Sequence, residues 1–79
     1  MSTDPAALIA AVGQSLFGTH WQTDMAAALS VSDRTVRRWA AGTDAPRAGV
    51  WTDLHRLCLE RAQALDDLAE QLKGATGAS

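Results

Sequence analysis

The chain has 79 residues, 47% of them hydrophobic, with only two prolines and a formal net charge of −2. That is the length of one domain, too apolar for a disordered tail and small enough that its core calls for added support. No apolar run approaches a membrane span, no basic-then-apolar leader opens the chain, and the lone Cys58 excludes an internal disulfide, so a protein of a reducing cytoplasm is expected.

Asp4-Pro5 reads as a helix start, with Asp4 as N-cap and Pro5 in the first helical position. Leu8, Ile9, Val12, Leu16 and Phe17 form an apolar stripe along Pro5 to Phe17, and Gly13 within it permits close packing. This helix is expected to cover the segment that follows. Gly18 ends it, and Thr19-x-x-Gln22 has capping-box spacing, which predicts a second helix from near Thr19. Trp21, Met25 and Leu29 share one face of that helix, while Ala26, Ala27 and Ala28 keep it thin. Ser30-Val31-Ser32 then interrupts the pattern. Val31 supplies an apolar plug, Ser32 caps a third helix starting at Asp33, and Gly42 closes it.

In that third helix successive side chains are about 100° apart, so Val36 and Trp39 point to one side with Ala40 near them. Arg34, Arg37, Arg38 and Ala41 fall opposite, within an arc of about 100°. Two helices joined by so short a turn cross steeply, which is helix-turn-helix geometry over 19–42. The net charge alone argues against a nucleic-acid partner. Its distribution does not. Between Val31 and Gly49, four arginines (34, 37, 38 and 47) stand against Asp33 and Asp44, a balance of +2. The rest of the chain has three basic and seven acidic residues, a balance of −4. A basic ridge on an acidic body can orient a molecule on DNA.

Thr43 to Gly49 reads as a loop, and a long helix is predicted over about 50–72. Trp51, Leu54 and Leu57 are expected on the core. Trp51, Leu54, Cys58, Arg61, Leu65, Leu68 and Leu72 recur at spacings of three and four, a heptad-like seam interrupted by Arg61. Leu65, Leu68 and Leu72 extend past anything the first helix can cover, so a homodimer interface is expected there. Lys73 and Gly74 finish the helix in this reading, and the tail 74–79 frays.

Nothing here reads as an enzyme. His55 and Cys58 lie three apart, but zinc needs three or four ligands and His20 is the only other candidate. No glycine-rich phosphate loop occurs, and Asp66 and Asp67 diverge on their helix. No metal, cofactor or small-molecule ligand is expected.

The stretch QTDMAAALSVSDRTVRRWAAG, Gln22 to Gly42, resembles the lambda-repressor-like helix-turn-helix proteins, the Xre group. Gln22 opens the motif, Ala26 stands at the helix contact, Val31 in the turn, Val36 and Trp39 inside, and Gly42 at the end; the resemblance is looser over roughly Leu8 to Leu57. Where this chain has Ser30, a glycine is commoner in the group. VSDRTVRRWAAG also looks like the corresponding phrase of small bacterial and phage regulators. The resemblance implies sequence-specific binding of double-stranded DNA, usually as a dimer and usually for repression, with base contacts at Asp33, Arg34 and Arg38. The residues agree: Arg34 and Arg38 lie one turn apart and suit guanine O6 and N7, while Asp33 can accept from a cytosine amine or merely favour the helix dipole. Gln22, Ser32, Thr35, Arg37 and Arg47 are the candidate phosphate contacts. The expectation is thus an all-α four-helix domain, a dimeric repressor on an inverted-repeat operator, acting on a bacterial or phage genome in the cytoplasm. The alternative is a helical interaction module docking through the C-terminal helix.

Overall fold

The computed structural model describes residues 4–77, which form four α-helices: α1 Pro5–Phe17, α2 Trp21–Leu29, α3 Asp33–Ala41 and α4 Ala48–Thr76. No strand occurs among the described residues, so the all-α class read from the sequence holds. Asp4 caps α1 by accepting from the Ala6 N–H at 3.2 Å, with Pro5 in the first turn. Ser32 caps α3 by accepting from the Thr35 N–H at 3.1 Å. Gly42 closes α3 at φ 80°, where the Thr43 N–H reaches back to the Arg38 carbonyl at 3.1 Å.

One cap differs from expectation. Thr19 does not start α2: Gly18–His20 is a single 3-10 turn, α2 begins at Trp21, and His20 precedes it without a side-chain cap. The cause is Trp21, which must double back to bury its indole against α1. Gly13 is the surface it uses, since a β-carbon there would overlap the indole ring. The turn is the short path that brings the ring back, and it takes up Thr19, which would otherwise cap a helix starting one residue earlier.

Seven side chains form the buried core: Ile9 from α1, Trp21, Met25 and Ala26 from α2, Val36 and Trp39 from α3, and Leu54 from α4. Val12, Leu16, Phe17, Leu29, Val31, Val50, Trp51 and Leu57 pack around them half-buried. Helix α1 touches all three others, as a helix covering the motif must.

Helix α4 is longer than the sequence suggests. It starts two residues before Val50, includes Gly49, and continues through Gly74 to Thr76. Pro46, itself buried, fixes the chain just ahead of the helix. Gly74 meets no neighbour and stays helical, costing about 1 kcal/mol relative to alanine without ending the helix. Residues 78 and 79 of the expected tail lie outside the described residues. At 29 residues α4 is about 43 Å long, close to the 53 Å length of the molecule. From Leu59 onward every described residue is exposed, so the last half of the helix projects beyond the body.

Gly13→Ala tests the α1–α2 contact. Alanine adds about 1 kcal/mol of helix propensity, but overlap with the Trp21 ring costs more, so thermal melting should show a net loss of roughly 1–2 kcal/mol. Gly74→Ala, in open space, should gain about 0.5–1 kcal/mol. A Gly13→Ala protein as stable as wild type would mean that the indole does not rest there.

Candidate nucleic-acid interface

Helix α3 meets the body through Val36, fully buried, and Trp39, 5% exposed. Its other side carries Arg34, Arg37, Arg38 and Ala41, all exposed. Among the described residues none of these guanidiniums has an acidic partner within reach. The ion pairs belong to α4, where Arg56 meets Glu60 at 3.2 Å and Asp53 at 3.9 Å. Arg34 and Arg38, one turn apart, repel each other mildly in the free protein. They gain nothing from the fold that displays them.

The first turn of α3 is tied to the first turn of α2 by the Thr23 hydroxyl, which donates to Asp33 Oδ2 at 3.3 Å. Two helix N-termini therefore meet at one corner, each with backbone amides that have no partner within their helix and with the positive end of its dipole. Gln22 sits at that corner in the first turn of α2, half-buried, its amide without a hydrogen bond among the described residues.

The other expected contacts divide by their local duties. Ser32 and Thr35 are at the corner, but their hydroxyls bond each other at 2.9 Å and Ser32 also caps α3, so capping is their first task. Asp33 favours the dipole of its own helix and accepts from Thr23, which accounts for it without DNA. Arg47 is the reverse case. It occupies the N-cap of α4, makes no capping bond, and puts a cation at the positive end of a dipole. With Thr35, Trp39 and Asp44 it lines one open depression beside α3. Asp44 meanwhile accepts from the Ala45 N–H at 2.9 Å. The fold thus brings Gln22, Ser32, Asp33, Arg34, Thr35, Arg37, Arg38 and Arg47 around α3, and leaves Leu65, Leu68 and Leu72 on the projecting part of α4, between 52% and 63% exposed.

Thr23 is the member that sequence reasoning missed. Its link to Asp33 spans ten positions and follows only from the crossing of α2 and α3. His55 and Cys58 line an apolar notch with Leu8, Val12, Trp51 and Leu54, and no group of three potential metal ligands converges among the described residues. No described helix is long and apolar enough to cross a membrane. Comparison with family models, with curated proteins and with solved structures finds no match to this chain.

The turn that sets α3 against α2 has one testable weakness. Ser30 ends α2 at φ 58°, its N–H on the Ala27 carbonyl at 3.3 Å and the Val31 N–H on Ala26 at 3.0 Å. An L-residue there is strained by about 1–2 kcal/mol, and glycine would relieve this at an unfolded-state entropy cost of about 0.4–1 kcal/mol. Ser30→Gly should therefore raise Tm by a few degrees, whereas Ser30→Ala should not. A lower Tm for the glycine variant would contradict the left-handed turn.

Proposed function

We propose that this chain is a transcriptional regulator of the lambda-repressor-like helix-turn-helix type, binding double-stranded DNA sequence-specifically with α3 in the major groove. One observation carries the reading: α3 is held by two buried residues while three arginines on its free face lack any acidic partner among the described residues. Arg34 and Arg38 take the base-reading role, since their planar forks can bond guanine O6 and N7 in pairs. Gln22 and the amides at the α2–α3 corner hold a phosphate, and Arg37 and Arg47 supply charge to the backbone. Asp33 chiefly sets the helix end, with Ser32 and Thr35 keeping the start of α3 in shape beside the phosphates.

A single module of this size binds weakly, so the regulator acts as a homodimer on an inverted repeat, with Leu65, Leu68 and Leu72 in its interface, and represses by occupying the site. A protein-docking role through α4 alone would explain the leucines but leave the bare arginines of α3 without a purpose.

Selection from random duplexes should enrich one inverted-repeat sequence, bound with a steep salt dependence. Absence of binding even at low salt would overturn the reading in favour of protein docking. On the enriched site, Arg34→Ala and Arg38→Ala should each cost about 1–3 kcal/mol and relax preference at one base pair. Equal loss on random DNA would reassign them to phosphates. Arg37→Ala and Arg47→Ala should weaken all sequences alike and flatten the salt slope by about one unit each. An altered base preference with an unchanged salt slope would contradict that assignment.

A further inference from the structure

We propose that α4 pairs antiparallel with α4 of a second copy, in the register that sets Leu65 of each chain against Leu68 of the other. The leucine row is part of a longer stripe. Cys58, Arg61, Leu65, Leu68, Leu72 and Ala75 follow one another at three- and four-residue steps along one side of the helix. Ala62, Ala64 and Ala69 flank it and let a second helix come close. Apart from Leu59, the far side is polar and engaged with itself, Gln63 donating to Asp67 at 3.0 Å and Arg56 to Glu60 at 3.2 Å.

Three features of the chain select a second copy in this orientation. The first is steric. Leu54 points along the same stripe and is buried in the body, so the body lies on the seam side of α4. A parallel partner would put its own body into that space. An antiparallel partner brings only its helix end, and in this register its Thr76 arrives level with Leu57, where the body begins.

The second is Arg61. Parallel pairing sets it against its own copy, two like charges in an apolar seam with no acid among the flanking residues Leu57, Ala62 and Ala64. In the antiparallel register its stem packs on the partner's Leu72. Its head can then bond the partner's Gln71 and lies one turn from the negative end of the partner's helix dipole.

The third is a vacancy of matching chemistry. Leu8, Val12, Trp51, Leu54, His55 and Cys58 line a notch of about 230 Å³ at the base of the stripe, and the large Leu8 is left 38% exposed beside it. The partner's Ala75 falls opposite Cys58 and closes that notch with an apolar helix end.

The register also fixes a distance: the two Leu54 residues stand about 37 Å apart along the paired helices. The pairing does not rest on the DNA-binding reading above.

Disulfide trapping without DNA tests the pairing directly, so failure of DNA binding leaves it unaffected. Under mild oxidation Ala75→Cys should form a covalent dimer linked between positions 58 and 75, as those β-carbons face each other. Wild type, and Ala75→Cys combined with Cys58→Ala, should stay unlinked. A disulfide through Cys58 in wild type, or through position 75 in the double variant, would show parallel pairing and overturn the proposal. Sedimentation should give a wild-type dimer at tens of micromolar and a monomer of unchanged near-ultraviolet circular dichroism for Leu68→Glu. A wild-type monomer that Ala75→Cys fails to trap would overturn it as well.

Discussion

Everything α3 presents to solvent depends on the burial of Val36 and Trp39. A nine-residue helix with four charged side chains would not persist alone in water. It exists because those two side chains enter a space made by Ile9 of α1 and by Met25 and Ala26 of α2. That space depends on small residues in turn: Ala26 lets α3 approach α2, and Gly13 lets the Trp21 ring lie against α1. A chain of close contacts thus runs from a glycine in the first helix to the orientation of three arginines in the third.

Charge is distributed to the same end. Half of the acidic excess sits on α4, where Arg56 is already shared between Asp53 and Glu60, and the other half is Asp4 and Asp24. The arginines of α3 and Arg47 remain outside any such pairing among the described residues. A net charge of −2 is therefore compatible with a cationic edge, and the acidic remainder helps orient that edge towards a polyanion. The two halves of α4 then have separate duties. Val50, Trp51, Leu54 and Leu57 complete the body, while the exposed half holds the apolar stripe that a body of this size cannot cover.

The helix ends show where local signals suffice. Asp4, Ser32 and Gly42 act within one turn of their own positions, so their caps were legible without knowledge of the fold. The Thr19-x-x-Gln22 spacing was an equally regular local pattern and failed, because burying Trp21 on Gly13 outweighs a surface cap. Ser30 lies between these cases. The serine is visible in the sequence, but its left-handed backbone is imposed by the need to turn α3 across α2.

By itself the sequence determined the all-α class, the two-sided character of α3 and the apolar periodicity of α4, because each follows from spacing along a single helix. Only the tertiary structure decided that Thr23 meets Asp33, that Arg47 joins α3 at one depression, and that Trp21 rests on Gly13 in place of a helix capped by Thr19. Those outcomes depend on how helices cross and where the body ends, and crossing is set by the shapes of residues distant in the chain, which no local period records.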